Sequence, residues 1–351
     1  MSRLNGLSLK SAVLTLPLLL VGTAHGRAAD MRSPWDIPVA VQTSDTFTCP
    51  PTPELPSTIK AADYYTDAAH SIVDPVRKKA YDAATDGLRS AMRDVISMAD
   101  RYRTEGNEAS ARCAAHFLGS FAASGALTGD TATNQAVYVQ GWTLGSFAIA
   151  WLKIRSDGNI PAEERTQITT WLADVASRNI DYYKKRDDKS DGRNNHRYWA
   201  GFTAMAAGIA ANRQDLFDWG VGSFKIGASQ IQPDGTMPRE MERRSRALHY
   251  HIFAAAPLVT MAELASANGI DLYKTNDNAL SRLVRLVVAG IDDPSLFAAK
   301  AGVAQEAMHF HADDIAWATP FERRFPNTQL AALVKKLTAR SVPYLGGLPP
   351  A

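Results

Sequence analysis

Two stretches of this chain concentrate side chains that can do chemistry. Lys184 to Gly201 reads KKRDDKSDGRNNHRYWAG and sets Asn194, Asn195, His196, Tyr198 and Trp199 beside a charged loop. Pro233 to His251 reads PDGTMPREMERRSRALHYH and adds Arg239, Arg243, Arg244, Arg246, His249, Tyr250 and His251. Guanidinium groups bind carboxylates with paired hydrogen bonds, while histidine and tyrosine can move protons. If two helical hairpins bring the blocks face to face, the ligand they suit is an anionic sugar polymer.

Each of these residues also has a plainer explanation. Asn195 and His196 could cap a helix beginning near Tyr198. Tyr250 could sit on a helix face with its hydroxyl in solvent, and Arg243 to Arg246 could be a solvated charged run. The aspartates Asp187, Asp188 and Asp191 lack the spacing of a calcium loop and read as a solvated turn. His309 and His311 read as structural or exposed rather than as metal ligands.

The elements that must position the two blocks are helices. Asp74-Pro75 reads as an N-cap followed by a first-turn proline. Leu88, Met92, Val95, Ile96 and Ala99 then recur at helical spacing up to Tyr102, and Gly106 ends the pattern. Further helices are expected over 110–123, 135–152, 161–183, 199–211, 214–230, 247–268 and 278–290, with glycines such as Gly125, Gly129 and Gly158 between them. Alternating strand patterns are nearly absent, so the chain is all-α, and consecutive helices joined by short turns pack as antiparallel pairs. This predicts an α/α toroid, an incomplete barrel of helical hairpins with an open cleft where the loops converge. Trp142, Trp151, Trp171 and Trp219 read as core.

The chain has 351 residues, 46% of them hydrophobic, enough for a sizeable core. Arg3 and Lys10 precede the apolar run from Ala12 to Val21, and small residues follow, which predicts a secretory signal peptide over 1–29 cut near Gly26 or Ala29. Removing Arg3 and Lys10 takes the formal charge from +2 to 0, so an anionic polymer must be recognised by a local basic cleft rather than by the bulk field. The mature chain, residues 30–351, is expected to be a single periplasmic domain. Neither nucleic acid nor, after cleavage, membrane is an expected partner. Cys49 and Cys113 form an even pair in an exported chain and are expected to be bridged, pinning the Pro-rich arm at 48–57 to the body. Residues 58–74, with Lys60, Tyr64, Tyr65 and His70, are either a surface connection or a lid over the cleft.

In NNHRYWAG and RRSRALHYH the chain resembles the periplasmic mannuronate-specific alginate lyases, polysaccharide lyase family 5. The YYTD segment, DLFDWG at Asp215 to Gly220, QIQPDGTMP and HYHIFAAAPL are similar as well, so the resemblance runs from about Cys49 to Leu272. It implies an α/α toroid and a β-elimination that cuts the 1,4 bond of alginate, leaving an unsaturated uronate end. By position it implies Asn195, His196, Arg243 and Tyr250 as catalytic residues and Trp199 as a cleft tryptophan. Lys60, Tyr64 and Tyr65 correspond to a lid over the sugar, and Arg239 and Arg246 are further substrate-binding candidates. No cofactor is implied; alginate is the expected partner, with an alginate export complex as a further candidate.

The residue chemistry fits that reaction. Taking the C5 proton from a uronate builds charge on a carboxylate that is already negative, and Arg243 and the Asn195 amide could stabilise it. In β-D-mannuronate the C5 proton and O4 lie on one face, so Tyr250 could serve both proton transfers; His196 could instead be the base with Tyr250 as acid, or stay neutral and polarise the carboxylate. Three other readings stand beside this one. The first is a lyase for another uronate polymer such as glucuronan. The second is a hydrolase using Glu240, Glu242 or Asp234, and the third is an exported polysaccharide-binding protein without activity.

Overall fold

The computed structural model describes Met1 and residues 30–42, 47–307, 314–337 and 341–350. The expected signal peptide and the His309 and His311 pair lie outside the described residues. Among the described residues the regular structure is helical, with extended chain only in isolated bridges such as Tyr65 to Val73. No helix among them is long and apolar enough to cross a membrane.

Helix α1 spans Pro75–Glu105. The Asp74 carboxylate accepts from the backbone N–H groups of Val76 and Arg77 at 2.9 and 3.0 Å, and Gly106, at φ 70°, donates its N–H to the Tyr102 carbonyl. Both ends therefore close as the Asp-Pro and glycine signals predict. There follow α2 (Glu108–Ala123), α3 (Asn134–Ile154), α4 (Ala162–Lys184), α5 (Asn195–Ala211), α6 (Gln214–Gln230), α7 (Pro238–Met241), α8 (Ala247–Ala267) and α9 (Thr275–Asp292). Shorter helices α10 (Ser295–Ala301), α11 (Ala318–Arg324) and α12 (Thr328–Leu337) complete the chain.

Helix α5 begins four residues before the predicted start. Its cap is Asn194, whose side-chain oxygen accepts from the His196 N–H at 3.0 Å. Asn195 and His196 are thus first-turn residues and not caps, which frees both side chains for other work.

The helices form two rows. In the inner row α1 packs on α3, α3 on α5, and α5 on α8; in the outer row α2, α4, α6 and α9 cover them. The difference is written in the sequence: α3, α5 and α8 are apolar almost all round, whereas α1 and α9 bury one stripe. Close approach within and between the rows needs small residues. A Cβ on Gly145 of α3 would stand 2.7 Å from Phe202 of α5, and one on Gly201 of α5 would stand 2.4 Å from Ser223 of α6. The result is the expected α/α toroid, open along the inner row.

The Pro-rich arm is tied down as predicted. Cys49 and Cys113 are bridged with their Cα atoms 5.6 Å apart, and the Pro56 and Ser57 carbonyls accept from the N–H groups of Leu127 and Gly129 at 3.1 and 2.8 Å. From there the chain enters a hairpin over residues 64–74, which the Asp67 carboxylate organises by accepting from Ser71 and Ile72.

Candidate active site

A cavity of about 960 Å³ opens where the first turns of α3, α5 and α8 converge under the 64–74 hairpin. Three helix N-termini facing one cavity favour negative charge in it. Its walls carry Lys78, Arg89, Arg93, Arg186, Arg239, Arg243 and Arg246, so a near-neutral chain holds the local basic cleft that its composition demanded.

Tyr250 lies in the first turn of α8 and is 7% exposed. Its hydroxyl donates to the Tyr65 hydroxyl at 3.0 Å. The Arg243 guanidinium lies 4.5 Å from its ring centroid and that of Arg246 5.5 Å away. Burial pushes the Tyr250 hydroxyl well above the ordinary phenol range and the Tyr65 hydroxyl adds to this, while the Arg243 and Arg246 charges work the other way. Arg246 also donates to the Tyr65 hydroxyl and pairs with Glu306 at 2.9 Å. Arg243, nearly buried, reaches the Ala69 carbonyl of the hairpin at 3.4 Å. The hairpin is therefore the roof of the cavity, with Tyr64 and Tyr65 on its inner side.

His196 stands across the cavity in the first turn of α5. Its ring stacks on Tyr138 of α3 with centroids 3.7 Å apart and planes 13° from parallel. Burial, and then the Arg243 charge, hold its pKa far below the usual imidazole value, so it is neutral, and its Nδ1 has no hydrogen-bond partner among the described residues. The Tyr138 hydroxyl donates to Asp191 at 2.8 Å, and Asp191 also accepts from Tyr182 at 2.5 Å and from Arg186 Nε at 2.9 Å. Asp191 is thus a buried anchor behind the histidine and not part of a solvated turn, a correction that follows from three donors converging on one carboxylate.

Asn195 is fully buried just behind this wall. Its backbone N–H and its Nδ2 both donate to the Glu240 carboxylate at 2.8 Å, which leaves Oδ1 without a partner among the described residues. Glu240 is itself fully buried, with burial raising its pKa, and Arg243 stands 4.0 Å away. Glu240 therefore organises the site from behind; it does not face the cavity as the acid of a hydrolase must.

Of the remaining sequence candidates, Arg239 lines the cavity. Trp199 lines it too, but only 2% of its surface is exposed and its indole N–H is taken by the Phe253 carbonyl at 3.1 Å, so it is a wall of the cleft. Lys60 is exposed and is not among the lining residues. His251 is structural: Nε2 accepts from the Met237 N–H at 2.9 Å and Nδ1 donates to the Ala247 carbonyl at 2.7 Å. Trp142, read as core, lines the cavity beside His196; Trp151 and Trp171 are core as expected. Tyr138 carries no signal in the sequence, and Trp142 reads as core and Glu240 as a hydrolase acid, because an aromatic or a glutamate at helical spacing looks the same whether its face meets core or cleft. No cluster of three or more His, Cys, Asp or Glu side chains suited to a metal occurs among the described residues.

The family model described as Alginate lyase matches residues 58–297. A protein of Stenotrophomonas maltophilia described as a polysaccharide lyase is 38% identical over 77% of this chain and 81% of its own length. An alginate lyase of Pseudomonas entomophila is 36% identical over 73% of this chain and 70% of its own. The crystal structure of alginate lyase A1-III from Sphingomonas species A1 superposes with a TM-score of 0.72 at 25% identity, covering 85% of this chain and 83% of that one. Cleft, fold and relatives agree, and the chain belongs to the alginate lyase family.

Proposed function

We propose that the protein is an exported, endo-acting lyase for mannuronate-rich alginate, cutting the 1,4 bond by β-elimination in the cavity roofed by Tyr65. The observation that carries this reading is the placement of Tyr250 beneath Arg243 and Arg246, opposite a neutral His196. Arg243 faces the charge that grows on the uronate carboxylate as the C5 proton leaves, and Asn195, buried behind the wall and tied to Glu240, fixes the first turn of α5 that carries His196. Tyr250 serves the same face of the ring at O4. In the single-residue assignment its phenolate, which the two guanidiniums favour and burial and the Tyr65 hydroxyl oppose, takes the C5 proton, the C4–O4 bond breaks, and the proton passes to the departing oxygen. His196 as base with Tyr250 as acid is the other assignment, and an uncharged imidazole on the cavity wall supports it.

Several observations support the wider parts of the proposal. A structure of a variant of alginate lyase A1-III complexed with tetrasaccharide has a TM-score of 0.75 to this chain, with 24% identity and coverage of 92% and 86%. An open cleft of this size suits binding within a polymer rather than at its end. A disulfide between the arm and α2 suits an oxidising compartment such as the periplasm. The broader description of the Stenotrophomonas relative as a polysaccharide lyase favours one second reading, the same elimination on another uronate polymer.

The test follows absorbance of the conjugated unsaturated uronate on separate polymannuronate and polyguluronate blocks. A rise on mannuronate with an early fall in viscosity is expected. A rise on guluronate alone removes the same-face argument for Tyr250, and no rise on either block removes the lyase reading.

A further inference from the structure

The segment 341–350 lies beyond the residues matched by the family model, yet it enters the cleft. Its sequence, SVPYLGGLPP, makes a tight turn in which the Val342 and Gly347 backbones exchange hydrogen bonds at 3.1 and 3.0 Å. Gly346 and Gly347 have φ of 76° and 96°. A Cβ on Gly346 would lie 2.4 Å from Ile149 of α3, and one on Gly347 equally close to Ile96 of α1 and to the Asp100 carboxylate. Only glycines allow both the backbone and the approach.

The turn is held from below by a lysine with no exposed surface. Lys153, inside α3, donates to the Gly346 carbonyl at 2.6 Å and to the Asp100 carboxylate, whose other oxygen accepts from the Leu348 N–H at 3.0 Å. A buried ammonium left without such partners is strongly unfavourable, so Lys153 and the segment require one another. The short helical turn Pro343–Leu345 consequently touches α1, α3 and α8, three of the four inner helices.

What this anchoring delivers is Tyr344. Its ring lies 5.5 Å from Trp142 and 6.3 Å from Trp199, on the cavity wall. The charges of Arg89 and Arg93 reach its hydroxyl. Arg89 is held by Asp82 at 2.9 Å, whereas Arg93 is exposed and makes no ion pair among the described residues. Phe253 and the two tryptophans separate this corner from Tyr250.

We propose that Tyr344 positions substrate: with Trp142 it forms an aromatic wall for a sugar ring of the bound chain, and Arg93 beside it meets that unit's carboxylate, away from the bond being cut. The inference rests on the cavity being the uronate cleft. An aromatic face pairs with the C–H face of a pyranose, and a free guanidinium with its acid group. The device sets chain-length preference, because only a substrate long enough to reach Tyr344 gains from it.

The experiment compares Tyr344→Ala, Tyr344→Phe and Arg93→Gln on mannuronate oligomers of increasing length, with melting temperature measured alongside. Tyr344→Ala is expected to raise KM for long chains roughly tenfold while kcat holds, flattening the dependence on length, and Tyr344→Phe is expected to restore most of the loss. Arg93→Gln, on an exposed residue that leaves the fold intact, is expected to raise KM in the same length-dependent way. Length dependence unchanged in both Tyr344→Ala and Arg93→Gln overturns the inference. Failure of the cleft reading shows differently, as Tyr250→Phe retaining full activity.

Discussion

The hydroxyl of Tyr250 donates to that of Tyr65 at 3.0 Å, joining residues 185 positions apart. The bond holds the proton on Tyr250, adding to the effect of burial, and it ties the roofing hairpin to the residue it covers. Tyr65→Phe removes the acceptor but leaves the ring. The Tyr250 pKa then falls toward the ordinary phenol range, and the limb of the kcat/KM profile that it sets moves to lower pH, the basic limb if Tyr250 is the acid and the acidic limb if its phenolate is the base. A profile unchanged between pH 7 and 11 would show that the bond has no part in the reaction.

Tyr250→Phe keeps the ring beneath the Arg243 guanidinium and removes only the hydroxyl. Turnover is expected to fall by about 10²–10⁴-fold, the usual span for losing a proton-transfer group, with polymannuronate binding retained. Titration calorimetry and the ultraviolet assay read the two separately.

Most of the fold was legible in the sequence because its signals are local. Asp74-Pro75 and Gly106 mark the two ends of α1 through backbone geometry alone, and the even apolar character of α3, α5 and α8 marks inner helices. The site was legible only where residue type narrows the choice. Arg243, Tyr250 and His196 are brought together, but nothing in a sequence distinguishes Asp191, buried under two tyrosines and an arginine, from its solvated neighbours Asp187 and Asp188. The roles of Trp142 and Glu240 lay beyond the sequence for the same reason: whether a helix residue meets a cavity or a buried partner depends on contacts across more than fifty residues in one case and on a buried asparagine in the other.

Glu240 accepts two hydrogen bonds from Asn195 in a fully buried place. Glu240→Gln can satisfy only one of the donors and sets an N–H₂ against the other, so a loss of about 2–3 kcal/mol in denaturant unfolding is expected, with Glu240→Ala costing more. Because the substitution frees the Asn195 side chain, kcat is expected to fall as well. Unchanged kinetics in a destabilised Glu240→Gln enzyme would confine Glu240 to the fold.

The Cys49–Cys113 bridge spans 64 residues of chain. Loop entropy of that length corresponds to about 4 kcal/mol of stability, so reduction should lower the melting temperature clearly. Neither Cys49 nor Cys113 is among the residues that line the cleft. Activity per folded molecule should therefore survive a Cys49→Ser, Cys113→Ser double substitution assayed below its new melting point.

Acid should separate stability from catalysis through two histidines. His251 is fully buried and accepts a backbone hydrogen bond at Nε2, so a proton there displaces Met237, and its pKa is pulled down to about 4, by burial first. The folded value is below the unfolded one. His251 therefore contributes stability that is complete above pH 6.5 and is lost as pH falls toward 4, at roughly 1.4 kcal/mol per pH unit. Denaturant midpoints should decline across that window, and His251→Gln, which can keep an acceptor toward Met237 without titrating, should flatten the decline while costing stability near neutrality. His196 is held neutral by burial and by Arg243, so the rate should show no inflection near pH 6.5 in protein that remains folded. An inflection there, abolished by His196→Gln, would instead mean that the imidazole titrates in the free enzyme, and would overturn the placement of His196 as an uncharged group facing Tyr250.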